Sequence, residues 1–198
     1  MDDVLVLHST LGGPGDLPGA AALLARLPYA RRLELGRRDP AARTASLAGT
    51  ALVLAGAARL RGVPVAAAEL RFGPGAAPHL AGGPWFSVTH SPARVAVALS
   101  ARAPVGLDLE EAAAATVAAG TFAGSLERWT AIEATLKACG LDLRAARRVR
   151  VAEDLSRAEV DGAPFWLRRV DLGAGCSACL ATSTELASVA VEQIADPW

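Results

Sequence analysis

The chain has 198 residues, of which 52% are hydrophobic, and its 20 acidic side chains balance its 20 lysine and arginine side chains. This length and apolar fraction are sufficient for one large domain or two small ones. The balanced charge excludes a global field that would attract nucleic acid or a membrane surface, so we expect neither as a partner.

The N-terminal residues and the apolar segments predict a cytoplasmic protein. Residues 1–8 carry acidic side chains where a signal peptide has basic ones, and they lack a long apolar run. The apolar segments around 52–56 and 95–99 are too short or too interrupted to cross a bilayer. We therefore expect no transmembrane segment.

The start of the chain predicts one strand and two helices. Residues 3–8 have the pattern of a strand, and residues 20–27 that of a short helix. A long helix should begin after Asp39, a good N-cap that is followed by proline, and end at Gly62. Five arginines cluster near the start of this helix, either as a solvated surface or as a local anion site: Arg31, Arg32, Arg37, Arg38 and Arg43.

The middle of the chain predicts a hairpin. Residues 69–84 have the composition of a strand end followed by a turn-rich loop. Residues 85–89 then form a predicted strand, residues 90–94 a tight turn, and residues 95–99 the antiparallel partner.

The second half predicts a strand, a helix and three further strands. Because side chains alternate along a strand, the strand over 105–110 would place Asp108 and Glu110 on one face. A helix should then run from about 125 to 139 and end at Gly140. The further strands are predicted around 148–152, 165–170 and 177–182.

These elements predict an α+β fold in two units. Each half of the chain carries a long helix and several short antiparallel strands, and the division falls near residue 103. We expect subdomains over 1–103 and 104–198, with the chemistry in the cleft between them.

Two cysteines, Cys176 and Cys179, have the C-x-x-C spacing of a redox motif or of half a zinc site. No second pair completes a set of four zinc ligands. Their small-residue surroundings favour a buried strand, in which a free cysteine packs as a small hydrophobe.

A candidate site for a divalent metal and a phosphate follows from four residues. Asp108 and Glu110 on the strand and Glu133 on the helix offer the hard oxygen ligands that Mg²⁺ prefers. Lys137 is the only lysine of the chain and lies four residues after Glu133. An arginine would supply the same charge, so the position favours a compact, rotatable ammonium. The ordinary alternatives are a solvated strand edge and a helical i, i+4 ion pair.

Three motifs occur in a fixed order along the chain. They are Phe86-Ser-Val-Thr-His-Ser91, Gly106-Leu-Asp-Leu-Glu110 and Trp129-Thr-Ala-Ile-Glu-Ala-Thr-Leu-Lys-Ala-Cys-Gly140. Together they resemble the motifs of the Sfp-type 4'-phosphopantetheinyl transferases, and the resemblance spans most of the chain. It extends to Ala42-Arg-Thr44 and to Phe165-Trp-Leu-Arg-Arg-Val-Asp-Leu-Gly-Ala-Gly175.

The resemblance implies a fold and an activity. The family has two similar α/β subdomains related by pseudo-twofold symmetry, each with a long helix on a small antiparallel sheet. Its members transfer 4'-phosphopantetheine from coenzyme A to a serine of an acyl or peptidyl carrier protein and release 3',5'-ADP. The carriers serve polyketide, nonribosomal peptide or fatty-acid biosynthesis. A complete site within one chain implies a monomer.

The resemblance also assigns roles to residues. Asp108, Glu110 and Glu133 would hold Mg²⁺ on the pyrophosphate, and Lys137 would bind the phosphate. Glu133, or a water on the metal, would take the proton of the attacking serine. Coenzyme A would be bound by Arg38, Arg43, Thr89, His90, Ser91 and Lys137. Of these, His90 and Arg43 would contact its 3'-phosphate. Arg31 and Arg32 are further candidates.

The chain departs from the family pattern at four places, of which Ser87, standing where the family has asparagine, is the mildest. Ile132 and Ala76 stand where the family has lysines, and the segment between Glu110 and Trp129 is short and alanine-rich. These departures predict slower transfer, weaker coenzyme A binding and a narrow range of carriers. They also support an alternative, a coenzyme A-binding interaction protein of the same fold with little or no turnover. An unrelated metal-dependent phosphate enzyme is disfavoured by the order of the motifs.

Overall fold

The computed structural model describes residues 3–12, 18–72, 78–112 and 123–198, and these residues form a mixed α+β fold. The predicted α+β class is therefore confirmed. The helices of the described residues are α1 (Pro18–Arg26), α2 (Tyr29–Gly36), α3 (Pro40–Arg61) and α4 (Leu126–Cys139).

The strands of the described residues fall into three groups along the chain: β1 precedes α1, five strands lie between α3 and α4, and five follow α4. The first six are β1 (Val4–Thr10), β2 (Leu70–Arg71), β3 (His79–Leu80), β4 (Trp85–His90), β5 (Arg94–Ser100) and β6 (Val105–Glu111). The remaining five are β7 (Val149–Val151), β8 (Arg157–Val160), β9 (Ala163–Arg169), β10 (Cys176–Thr182) and β11 (Val189–Gln193).

Two sheets organise the fold. The first has the strand order β11-β1-β5-β4, the second has the order β6-β10-β9-β8-β7, and β2 pairs with β3 alone. Strand β11 lies parallel to β1, so the end of the chain returns to the first sheet. Asp3 anchors this return, because its Oδ2 accepts hydrogen bonds from the backbone N–H groups of Ala187 at 2.8 Å and Ser188 at 3.3 Å.

Helix α3 packs on the first sheet and has the ends predicted for it. The Asp39 side chain accepts from the backbone N–H of Ala42, Pro40 occupies the first turn, and Gly62 closes the helix at φ 71°. Its length and apolar composition alone would suffice to cross a membrane, but more than half of that stretch is buried inside the protein. Its buried residues pack with those of β1 and β5 in one core.

The two sheets meet along their edge strands β4 and β6. The Ser87 hydroxyl accepts from the backbone N–H of Leu107 at 3.0 Å, and the Thr89 hydroxyl accepts from that of Leu109 at 3.3 Å. Buried side-chain hydroxyls at alternate positions of β4 thus replace a backbone ladder and satisfy the edge of β6. This junction fixes the position of β6, which carries two of the predicted metal ligands.

Four of the described elements were not predicted, namely α2, β3, β8 and β11. Helix α2 has Leu35 as its buried residue, and so short an element shows little helical periodicity. Arg31 and Arg32 lie on α2 rather than near the start of the long helix. Strand β8 alternates exposed and buried residues but has only four residues, and β11 is intermediate or exposed along its whole length. The division of the chain near residue 103 stays a prediction.

Candidate functional site

The site depends on a close contact between α4 and β6 at Gly106. A Cβ on this residue would lie 1.9 Å from the carbonyl oxygen of Ala134 and 2.5 Å from the backbone nitrogen of Ala138. The helix therefore reaches the strand only because position 106 has no side chain. Since Asp108 follows two residues later on the same face, its carboxylate is brought beside the helix.

Helix α4 presents Glu133 and Lys137 to this strand. Ser125 caps its first turn by accepting from the backbone N–H of Arg128, and Gly140 ends it at φ 67°. Most of the helix is buried in the core of the second sheet, whereas Glu133 and Lys137 are half-buried. Their i, i+4 spacing places both side chains on one side of the helix.

Three carboxylates converge at this contact. One oxygen from each of Asp108, Glu110 and Glu133 lies within 4.8 Å of the other two. Oxygen ligands about 2.1 Å from Mg²⁺ in an octahedron are about 3–4 Å apart, so small side-chain rotations would bring the three onto one ion. The residues predicted as metal ligands are thus neighbours in space.

The two oxygens of Asp108 have different surroundings. Oδ1 accepts from Lys137 Nζ at 2.6 Å and from the Thr89 hydroxyl at 3.2 Å. Oδ2 is buried and has no hydrogen-bond partner among the described residues. A buried carboxylate oxygen without a donor costs free energy that a cation would offset, so the arrangement fits a metal ligand.

The pKa values of the two glutamates reflect the crowding of negative charge. Loss of hydration, followed by the charge of Asp108, raises the pKa of Glu133 to about 7, and Lys137 offsets only part of this effect. The same two causes raise the pKa of Glu110. The ionised cluster is therefore unfavourable by itself, and a bound cation would stabilise it.

Mg²⁺ binding is expected to weaken as the pH falls through 7. With a Glu133 pKa of about 7, the metal-free protein holds a proton on this residue at pH 6 and loses it by pH 8. A metal must displace that proton, so we expect about tenfold tighter binding at pH 8 than at pH 6 by calorimetry.

The melting temperature provides a second test of metal binding, because the direction in which it should change with pH is defined. A carboxyl whose pKa rises from 4.5 to about 7 on folding stabilises the fold while it is protonated. This contribution is lost as the pH rises from about 4.5 to 7, and a bound metal replaces it. The increase in Tm on adding Mg²⁺ should be larger at pH 8 than at pH 6. If the Mg²⁺ affinity and the increase in Tm were both the same at pH 6 and pH 8, this account would be contradicted.

Two wide clefts meet at Lys137, and one of them also reaches Glu133. A cleft of about 600 Å³ opens beside Lys137 and is lined by apolar groups of the first half, with Trp85 and Phe86 among them, and by residues 137–140. A second cleft of about 570 Å³ opens beside Glu133 and Lys137, with Leu143 and Arg144 at its wall. The site is thus accessible from two sides.

A smaller basic cleft of about 170 Å³ lies on the first half, lined in part by Arg31, Arg38, Ser46 and His90. Arg38 donates to the Ser46 hydroxyl at 2.8 Å, and Arg31 stacks over the ring of Phe72 at 4.7 Å. Loss of hydration, then the charges of Lys137 and Arg38, lower the pKa of the His90 imidazole. Glu34 pairs with both guanidinium groups, at 2.6 Å from Arg31 and 2.7 Å from Arg38, so it offsets part of the positive charge, and the charge that remains favours an anion.

The residues predicted to bind coenzyme A lie in several different surroundings. Arg38 and His90 share the basic cleft, together with Arg31, and Lys137 lies at the carboxylates. Thr89 is buried and bonded to Asp108, and Ser91 is buried and bonded to Glu111. Arg43 is half-buried in the first turn of α3 and does not line the basic cleft, and Arg32 stacks over Tyr29 instead.

The departures from the family pattern have different structural settings. Ile132 is 4% exposed and packs in the core of the second half, so the hydrophobic side chain serves packing there. A lysine at that position would need to bring its ammonium out of the core. Ala76 and most of the alanine-rich segment lie outside the described residues, which lack 73–77 and 113–122.

The cysteines have no described partner of their own kind. Cys139, Cys176 and Cys179 are free thiols. Cys179 is buried in the core of the second half, where burial raises the pKa of its thiol to about 12. A thiol with so high a pKa is a poor nucleophile, which agrees with a packing role.

No known family model matches this sequence, and no curated protein matches it. The geometry of the carboxylates, Lys137 and the adjoining clefts is therefore the basis for a functional assignment.

Proposed function

We propose that this protein is a Mg²⁺-dependent 4'-phosphopantetheinyl transferase, which modifies a serine of an acyl or peptidyl carrier protein with coenzyme A as co-substrate. The carriers would belong to polyketide, nonribosomal peptide or fatty-acid biosynthesis. The observation that carries the proposal is the convergence of Asp108, Glu110 and Glu133 beside Lys137. Three carboxylates and one mobile ammonium match the needs of a metal-bound pyrophosphate.

The clefts support coenzyme A as the phosphate donor. The basic cleft offers Arg38 and His90 to a phosphate, and the apolar cleft of about 600 Å³ beside Lys137 has room for a nucleotide. The pyrophosphate would then lie between them at the carboxylates. The cleft on the Glu133 side leaves a separate approach for the carrier serine.

The transfer step uses groups at the carboxylate cluster. The serine oxygen of the carrier attacks the phosphorus that bears the pantetheine, and the bond from this phosphorus to the oxygen of 3',5'-ADP breaks. When bound, Mg²⁺ would neutralise negative charge on the pyrophosphate. Glu133 accepts the serine proton, and Lys137 donates hydrogen bonds to the transferred phosphate.

The same proposal extends to the architecture and the setting of the protein. Each half has a long helix on a sheet, and we assign the halves to the pseudo-twofold arrangement of subdomains that the resemblance implies. The metal ligands come from α4 and β6 of a single chain, which supports a monomer as the active form. The carriers named here are cytoplasmic partners, so we assign the protein to the cytoplasm.

Release of 3',5'-ADP tests the proposal. The protein would be incubated with coenzyme A, Mg²⁺ and a panel of apo carrier proteins, and the nucleotide products separated by chromatography. We expect release of 3',5'-ADP that requires a carrier and stops when EDTA removes the metal. Release without a carrier would indicate hydrolysis of coenzyme A instead.

The alternative of a coenzyme A-binding interaction protein has a distinct outcome in this assay. It predicts coenzyme A binding by calorimetry together with no release of 3',5'-ADP for any carrier. The loss of the family lysine at position 132 is one argument for that alternative. The burial of Ile132 weakens this argument, because the residue packs in the core. Absence of both binding and release would contradict both functions.

A further inference from the structure

Glu111 follows the last predicted metal ligand of β6, but its side chain belongs to a different network. Its Oε1 accepts a hydrogen bond of 2.5 Å from the Ser91 hydroxyl. The backbone N–H of Arg94 in turn donates to the same hydroxyl at 3.1 Å, and the backbone N–H of Ser91 donates to the carbonyl of Arg94 at 2.9 Å. The Ser91 hydroxyl is therefore engaged within the protein.

Arg94 ties this turn to the opposite half of the protein. Its Nη1 donates to the carbonyl oxygen of Leu172, and its Nη2 donates to that of Ala174 at 2.8 Å. Its Nε lies 4.0 Å from Glu111 Oε1. The side chains of Arg94 and Glu111 are only 21% and 19% exposed, so these bonds are shielded from most of the solvent.

The turn held by this network immediately follows His90. Thr89 on one side of His90 is fixed by its bonds to Asp108 and to the Leu109 backbone, and Ser91 on the other side is fixed by Glu111. His90 itself lines the basic cleft with Arg38. The backbone on both sides of the imidazole is thus attached to β6.

We infer that Glu111 is a positioning residue for phosphate recognition: by accepting the hydrogen bond of the Ser91 hydroxyl, it holds the turn that presents His90 to the 3'-phosphate of coenzyme A. Ser91 acts within this clamp and does not contact the ligand. The inference rests on the proposed function, because the proposal supplies the ligand.

An electrostatic role for Glu111 makes the opposite prediction. A carboxylate near an anion site repels a phosphate, so removing its charge alone would tighten binding. A clamp requires the hydrogen-bond acceptor, which glutamine retains in its amide oxygen and alanine lacks. The two substitutions Glu111→Gln and Glu111→Ala therefore separate the two roles.

The experiment measures the affinities of coenzyme A and of dephospho-coenzyme A, which lacks the 3'-phosphate, by calorimetry with Mg²⁺ present. We expect Glu111→Ala and Ser91→Ala each to weaken coenzyme A binding by about five- to tenfold, the effect of one lost hydrogen bond of ordinary strength. Binding of dephospho-coenzyme A should change less than about twofold under the same conditions, since it has no group for His90.

Two further variants complete the design. Glu111→Gln should stay close to the unmodified protein for both ligands, and the double variant with Glu111→Ala and Ser91→Ala should be no weaker than the poorer single one, because both changes remove the same bond. Glu159→Gln on the exposed face of β8 is the matched control for loss of a carboxylate. If Glu111→Ala does not fold, Ser91→Ala and Glu111→Gln still carry the test.

The outcomes distinguish failure of this inference from failure of the proposed function. Equal weakening of both ligands, or tighter binding by Glu111→Gln and Glu111→Ala alike, would overturn the positioning role while coenzyme A remains the ligand. A protein that binds both ligands equally well does not recognise the 3'-phosphate, which overturns the inference as well. If the unmodified protein binds no coenzyme A, the proposed function fails and the inference fails with it.

Discussion

Asp108→Asn is expected to show no Mg²⁺ binding at micromolar to low millimolar concentrations of the ion. It should also lower kcat/KM for carrier modification by at least about 100-fold. The amide removes one of three negative charges in the cluster and replaces a carboxylate oxygen by a donor nitrogen. It also removes the anionic partner of Lys137, which donates to Asp108 at 2.6 Å. Metal binding would be measured by calorimetry and transfer by the rate of 3',5'-ADP release.

The expected effect of Asp108→Asn is on chemistry rather than on folding. The amide oxygen can still accept from the Thr89 hydroxyl, so the junction between β4 and β6 should survive. Glu159→Gln, an exposed carboxylate lost from β8, is the control and should retain full metal binding. Retention of Mg²⁺ binding by Asp108→Asn would show that the convergent carboxylates are not the metal site.

Gly106→Val is expected to destabilise the protein severely. Its Cβ would collide with the backbone of α4 at Ala134 and Ala138, and backbone atoms cannot rotate away as side chains do. The helix would have to move off β6 by more than 1 Å, which we expect to cost at least about 3 kcal/mol. For a chain of this size the corresponding fall in Tm is about 6–12 °C or more.

Gly36→Ala is the matched control for this substitution. A Cβ at Gly36 meets no atom within 4 Å, and the residue ends α2 far from the contact of α4 with β6. Its Tm should stay within about 2 °C of the unmodified protein, because alanine favours the helix over glycine. If Gly106→Val were as stable as Gly36→Ala, α4 would not lie on β6 as described here.

The elements around the carboxylates could be predicted from local sequence signals. Asp39 with Pro40 and Gly62 delimit α3, and Ser125 and Gly140 delimit α4, because capping residues act within one turn of the helix end. The alternation along β6 correctly placed Asp108 and Glu110 on one face. Local chemistry of this kind needs no knowledge of the tertiary structure.

The features that were not predicted depend on contacts between distant segments. Strand β11 finds its place through parallel pairing with β1, which begins 185 residues earlier and leaves no local pattern. The basic cleft takes Arg31 from α2, and α2 was not predicted because it is short and carries Leu35 as its buried residue. Arg43 was placed with His90 by resemblance, whereas α3 holds it outside that cleft.

The contact between Ser91 and Glu111 could have been predicted from the alternation of hydroxyl side chains in the sequence. Ser87 and Thr89 alternate along β4, Ser91 continues the alternation just after the strand ends, and the first two are bonded to the backbone of β6. A third hydroxyl in the same series would be expected to meet the next residue of β6 on that side, which is Glu111. Glu110 belongs to the Gly106–Glu110 motif, whereas Glu111 lies one residue beyond it.

The central claim is the transfer of phosphopantetheine, and intact mass spectrometry of the carrier tests it most directly. A panel of apo acyl and peptidyl carrier proteins would be incubated with coenzyme A, Mg²⁺ and either the unmodified protein, Glu133→Gln or Glu159→Gln. The account predicts a phosphopantetheine mass gain on the serine of at least one carrier with the unmodified protein and Glu159→Gln, and none with Glu133→Gln. No mass gain on any carrier, or an equal gain with Glu133→Gln, would contradict it.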